Sequence, residues 1–187
     1  MQLNPYGEDV LRLAISLTND PPPTVRELVD RCQVAGLVID VPYDEDDLPR
    51  TRAFLAEWLT VVDASAPEAR ASLLNDLLRD ASAYPRLTNH APDGAWHLHY
   101  REPGLPLASM LRTLICVATA WHLSGRGMHR LGRCAAQGCD TAYADFSRTG
   151  AQRFCSPACG NREAVRRHRT RRQGSLRRGS PATTSRC

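Results

Sequence analysis

The sequence predicts a mainly α-helical protein: a helical N-terminal domain with one small β-hairpin, then a small cysteine-rich module that ends on a basic helix. Three observations carry this. Apolar residues recur at helical spacing through most of residues 8–123. Four of the seven cysteines fall in two close pairs near the C-terminus. Charge is split along the chain. Residues 1–125 carry 10 arginines against 17 acids, net −7, whereas residues 126–187 carry 14 arginines against 3 acids, net +11. All 24 basic residues are arginine. A GC-rich genome accounts for the absence of lysine, but not for the clustering, which points to contact with an anionic partner at one end.

In order, Val10, Leu11, Leu13, Ala14, Ile15 and Leu17 give a helix over Glu8–Asn19 with a broad apolar face. Pro21-Pro22-Pro23 stops it. Thr24 reads as an N-cap with Glu27 completing a capping box, opening a helix to about Ala35 with Gly36 beyond its end. Leu37–Val41 is an apolar run of either type. Asp44-Glu45-Asp46-Asp47 reads as a solvated acidic turn before a third helix, about Arg50–Asp63, that buries Phe54, Leu55, Trp58, Leu59 and Val62. Pro67 suits the first turn of a fourth helix, about 67–82, with Leu73, Leu74, Leu77 and Leu78 as its core stripe.

The pattern then changes. Pro92-Asp93-Gly94 is a turn signal, and Trp96-His97-Leu98-His99-Tyr100 alternates with period two, as in a hairpin. His97 and His99 would share its solvated face. Leu105–Leu123 is the most apolar helix and the expected centre of the core. Gly125, Gly127 and Gly132 loosen the chain, which places a boundary near 125–132. The expected units are a helical body over 1–125, a module over 130–173, and a disordered Gly/Ser/Arg/Thr-rich basic tail over 174–187.

The longest apolar run, Leu114–Trp121, is far short of the ~20 residues that span a bilayer. The N-terminus lacks a basic segment followed by an apolar one. Cytoplasmic location without membrane contact is therefore expected, and in a reducing compartment clustered cysteines bind metal more often than they form disulfides. The pairs are Cys134-x4-Cys139 and Cys155-x3-Cys159. Two local pairs supply four thiolates in the tetrahedron that one structural Zn²⁺ takes. Gly138 permits a tight knuckle around the first pair. Pro157 suits the first turn of a helix that carries the second pair on one face. Residues 142–154 are expected to form two short strands between the pairs. A site of four cysteine thiolates has no open coordination position, so its role is structural. Cys32 and Cys116 read as small buried hydrophobes, and Cys187 is terminal.

The residues after Cys159 form a helix with many guanidinium forks, which bind phosphate oxygens in pairs. Asn161, Arg162, Arg166, Arg167, Arg169, Arg171 and Arg172 are the candidate nucleic-acid-binding residues, and Glu163 is the only acid among them. Ala164, Val165 and His168 make a narrow face expected to sit on the module.

Cys134-x4-Cys139, Phe146-Ser147-Arg148-Thr149-Gly150, and Phe154-Cys155-Ser156 through Cys159-Gly160-Asn161-Arg162 with the arginines that follow resemble the CGNR zinc finger family over about residues 130–172. The resemblance implies a treble-clef-like zinc module with four cysteine ligands. It also implies an N-terminal all-α ABATE-like domain, regarded in that family as a stress-induced transcriptional regulator. Leu17-Thr18-Asn19-Asp20 echoes a Leu-Val-Asn-Thr element of that domain, and the second cysteine pair is one residue closer than in many members.

The function expected is therefore zinc-dependent DNA binding by a bacterial-type transcriptional regulator, with the body sensing a small-molecule effector or forming a homodimer. The alternative is an RNA- or ribosome-associated zinc module whose Tyr143, Phe146 and Phe154 stack on bases. The chain carries no nucleophile elbow, phosphate loop or paired catalytic carboxylates, so no enzyme is expected and no catalytic residue is assigned.

Overall fold

The computed structural model describes residues 5–89 and 96–178, without the side chains of Pro5, Tyr6, His97 and residues 172–178. Helices α1 (Pro5–Asn19), α2 (Val25–Val34), α3 (Asp47–Asp63) and α4 (Pro67–Ala81) precede α5 (Leu107–Arg126). Helices α1, α3 and α4 pack directly on α5. The expected apolar stripes explain why: Leu11, Leu17, Leu28, Trp58, Leu111 and Ile115 are fully buried, each stabilising the fold by roughly 1.5–3 kcal/mol relative to exposure. Trp58 reaches the centre, where its indole N–H donates to Thr119 Oγ1 at 3.0 Å. That hydroxyl donates in turn to the Ile115 carbonyl at 2.6 Å, so both buried donors are satisfied. By length and composition α5 is the one helix among the described residues that could cross a bilayer, but most of it is buried inside this bundle.

Local chemistry departs from the expected elements at several points. Thr24 caps α2, accepting the Glu27 N–H at 3.2 Å. The Glu27 carboxylate completes no reciprocal box and instead pairs with Arg31 at 2.5 Å. Leu37–Val41 forms neither helix nor strand. Asp47 is fully buried, unlike its exposed neighbours Asp44, Glu45 and Asp46. Its Oδ1 accepts the Ala108 N–H at 2.8 Å, so one helix caps the first turn of another. On α4 the inward residues are Arg70, Leu74 and Leu77, whereas Leu73 faces outward. Arg70 donates to the carbonyls of Val61 (2.9 Å), Val62 (3.0 Å), Ala64 (2.5 Å) and Met128. A cation there satisfies the orphan carbonyls of α3 and complements its dipole.

Strands β1 (Arg86–Thr88) and β2 (His97–His99) form the expected antiparallel hairpin, with Leu87 opposite Leu98. The turn at 92–94 and the His97 side chain lie outside the described residues. Leu87, Trp96 and Leu98 are exposed, so the alternation does not bury an apolar face. Tyr100, just beyond β2, does pack inward, edge-on to Trp121 at 5.7 Å.

The region around 125–132 is tightly held. α5 continues through Gly125 to Arg126, and Gly127, at φ +115°, ends it. Strands β3 (Leu131–Arg133) and β4 (Ala142–Ala144) follow as an antiparallel hairpin. Leu131, Ala142 and Ala144 belong to the same buried core as the helices. Asn19, at the end of α1, pairs with β4 as a further strand would: its amide donates to the Ala142 carbonyl and its Oδ1 accepts the Ala142 N–H, both at 2.9 Å. Arg133 forms a two-pronged pair with Asp63 at 2.7 and 3.1 Å. Arg126 reaches Glu8 at 3.4 Å and the Phe146 carbonyl at 3.1 Å.

Candidate metal centre

The first cysteine pair sits at the tip of the β3–β4 hairpin. Cys134 N–H donates to the Thr141 carbonyl at 2.9 Å and Cys139 N–H to the Ala136 carbonyl at 3.0 Å, closing a knuckle in which Gly138 adopts φ +71°. The left-handed conformation is why glycine stands there. Residues 142–154 were expected to form two strands, but only Ala142–Ala144 does, and it pairs backward with β3. The rest is a loop wound around buried Asp145. One carboxylate oxygen accepts the Ser147 N–H at 2.8 Å, and the other accepts Gln152 N–H at 3.1 Å. These bonds hold its pKa below the usual carboxylate value despite burial, with help from Arg130. Gly150, at φ +68°, lies against Arg130, and a Cβ there would come within 2.6 Å of the guanidinium. The Phe146–Gly150 stretch is thus scaffolding for an Arg130–Asp145 pair.

The loop ends on Cys155, two residues before helix α6 (Pro157–Arg178), so the helix carries Cys159 and not both cysteines of the second pair as expected. Ser156 caps it, accepting the Cys159 N–H at 3.3 Å, with Pro157 in the first turn as expected. Gly160 lets Phe154 pack close, since a Cβ would sit 3.4 Å from its ring.

These elements bring the four sulfurs together. Cys139–Cys155, Cys155–Cys159 and Cys159–Cys139 are separated by 3.8, 3.6 and 3.9 Å. With Zn–S near 2.3 Å, a tetrahedral site needs sulfurs about 3.8 Å apart. Cys134 completes the set, all four lying within 4.8 Å of one another. The donor set and its spacing fit one structural Zn²⁺. Outer contacts suit thiolates: Cys155 N–H donates to Cys134 Sγ at 3.3 Å, Thr141 Oγ1 lies 3.2 Å from Cys139 Sγ, and Arg162 Nη2 donates to Cys159 Sγ at 3.4 Å. As bare thiols Cys139 and Cys155 differ. The Thr141 hydroxyl and amide hold Cys139 down at about 6, whereas burial pushes Cys155 up to about 12. A coordinated cation removes that difference, because coordinating thiols are deprotonated outright. Cys32 and Cys116 are buried among helices, pushed up to about 12 by that burial, and are inert.

Beyond Cys159 the helix touches the module chiefly through Glu163. Its Oε1 accepts the Gln137 N–H of the knuckle at 2.9 Å, and Arg166 pairs with its other oxygen at 2.8 Å. Arg166 and the Gln137 amide lower its pKa. Ala164, Val165 and His168, expected to pack on the module, are exposed, as is every residue from 164 to 171. The module offers that face no apolar footing, and a short polar clamp does the anchoring. Asn161, Arg162, Arg166, Arg167, Arg169 and Arg171 are all exposed on α6. Arg172 lies on the same helix, its side chain outside the described part. The helix runs through Arg178, past the boundary expected at 173, consistent with the good helix propensity of arginine. The aromatics expected to stack on bases are engaged within the protein. Tyr143 donates to the Gln152 carbonyl at 3.0 Å, Phe146 lies between His122 and Arg12, and Phe154 packs beneath Gly160.

Sequence reasoning missed Glu163, Asp145 and Arg130, and met Asn19 only as part of the Leu17–Asp20 element, without its partner. A lone acid in a basic helix was a usable signal for Glu163; the other three act through contacts with backbone groups that spacing does not encode.

Residues 130–172 match the CGNR zinc finger family, so the match covers β3, the knuckle, β4, the loop and the exposed start of α6. The helical body lies outside it. No curated protein matches the chain.

Proposed function

We propose that this CGNR zinc finger presents α6 to DNA and that the protein is a zinc-dependent transcriptional regulator. One observation carries the reading. From Ala164 to Arg171, α6 is exposed on all sides with Arg167, Arg169 and Arg171 on it beside Arg166, which pairs with Glu163, and no further acid follows in the sequence of the helix. A solvated helix face ordinarily mixes signs, whereas a helix of guanidinium forks suits phosphates. Arginines nearer the body behave differently: Arg126 and Arg133 are spent on Glu8 and Asp63. The centre's chemistry is structural, since four thiolates complete a tetrahedral ion. The helical body would then be the ABATE-like regulatory part, and the shared core would make it a rigid mount for the finger. The RNA-associated reading loses support because Tyr143, Phe146 and Phe154 are committed internally.

The test is a salt series. Full-length zinc-loaded protein is titrated against labelled duplex DNA and single-stranded RNA, beside Cys155→Ser. Duplex binding should weaken with salt by about −0.9 in log–log slope per neutralised phosphate, and Cys155→Ser should lose it. Salt-insensitive binding, preference for the RNA, or an unimpaired Cys155→Ser would refute the reading.

A further inference from the structure

We propose that the outward stripe of α6, Asn161, Val165 and His168, reads base edges in the major groove of duplex DNA, while arginines on either side of it grip the two phosphate walls. The inference rests on the DNA reading above and assigns it a face.

Helix geometry places the residues. At about 100° per residue, Cys159 and Glu163 lie on one line of α6, and between Cys159 and Arg171 they are the two residues that are buried. The opposite line carries Asn161, Val165 and His168 at spacings of four and three. Arg172 occupies the next position on that line. Asn161, Val165 and His168 are all exposed, and Val165 is half-exposed at 51%. An apolar β-branched side chain on a basic helix, turned away from its own module, has no internal reason to be there. Ala164 adjoins the stripe and is also exposed.

Charge complementarity selects the occupant. Arg169 lies about 80° to one side of the stripe and Arg171 about 80° to the other, with Arg167 farther round on the side of Arg171 and Arg166, paired with Glu163, farther round on the side of Arg169. Both flanks are exposed. Cations on both flanks of a strip that is neutral from Asn161 to His168 fit a groove with an anionic wall on each side. The major groove of B-DNA is about 12 Å wide and admits one helix. The A-form major groove of RNA is too narrow and deep for side chains to read. Within the groove, an asparagine amide suits the adenine edge and an apolar side chain suits the thymine methyl group. α6 has 22 residues, about 33 Å, close to one turn of duplex.

The test is in-vitro selection from a random duplex library with the full zinc-loaded chain, followed by titration of the selected and a scrambled duplex. Asn161→Ala and Val165→Ser should keep zinc content, scrambled-duplex affinity within about threefold and an unchanged salt slope. Each should lose about tenfold or more at the selected site, as expected for one lost base contact. Arg169→Ala and Arg171→Ala should instead weaken both duplexes alike and reduce the salt slope by about 0.9 each. The inference is overturned if the stripe variants select the same sequence with undiminished preference, or if the wild type binds duplex without selecting any sequence. Absence of duplex binding altogether would refute the DNA reading itself, a result distinct from either.

Discussion

Replacing Arg70 with methionine should destabilise the protein by about 3 kcal/mol. The residue is 6% exposed, and its side chain donates to four carbonyls, three at the end of α3 and one, Met128, on the segment leading to β3. Hydrogen bonds from a charged donor contribute about 1.5–3 kcal/mol each, but one guanidinium makes all four, so the terms do not add. Burial opposes the cation, and its pKa is lowered by that desolvation, which offsets part of the gain. Methionine keeps the stem's packing and removes only the donors, leaving the carbonyls of Val61 and Val62 unpaired. About 3 kcal/mol corresponds to a fall in Tm of about 6–12 °C for a chain of this size. Arg70→Lys should lie between the two, because an ammonium cannot span carbonyls on both α3 and Met128. Urea and thermal unfolding of zinc-loaded protein, followed by circular dichroism, read the ranking. If Arg70→Met unfolds within about 0.5 kcal/mol of the wild type, the four-carbonyl clamp is not what holds α3 to the finger.

Chelating the zinc should free the knuckle and α6 but leave β3–β4 in place, since Leu131, Ala142 and Ala144 lie in the body's core; hydrogen exchange should accelerate at Cys139, Cys155 and Gly160 and not at Ala142, and uniform acceleration would contradict this. Glu163→Gln keeps an acceptor for Gln137 N–H, whereas Glu163→Ala removes it. If charge alone governed duplex affinity both would bind more tightly, but if the clamp aims the helix, the alanine variant should bind more weakly than the glutamine one, and equal affinities would sink the clamp. His122 is buried, which together with Arg126 and Arg130 lowers its pKa, while Glu8 and the Arg130 carbonyl oppose the shift. Its folded pKa is thus below the unfolded value of about 6.5, so the stability linked to it is fully present above about pH 6.5 and is lost as pH falls through the folded pKa. Between about pH 7.5 and 5.5 the urea midpoint of the wild type should drop more than that of His122→Gln, and parallel profiles would count against the linkage.

Helices and metal ligands were legible because each is specified by neighbours in the chain. Leu74 and Leu77 share a helical face at fixed spacing, Thr24 precedes the turn it caps, and two cysteine pairs carry their own turns. Contacts between distant segments were not legible. Asp47 read as solvent-facing because its neighbours are, yet it accepts the N–H of Ala108, 61 residues on. Arg70 shares the stripe of Leu74 and Leu77, so its burial was in the spacing, but the carbonyls that accept it lie on other elements. The break suggested by Gly125, Gly127 and Gly132 was read as a loose boundary, whereas Leu131 and Asn19 join the two sides in one core.

By itself, then, the sequence determined the helical class, the four zinc ligands and the arginine-rich helix, since periodicity and short spacings are properties of local geometry. Tertiary structure decided which way that helix faces. Whether Val165 is buried or presented depends on what the knuckle offers it. The knuckle offers a backbone amide, which Glu163 takes, and Val165 is left on the outside.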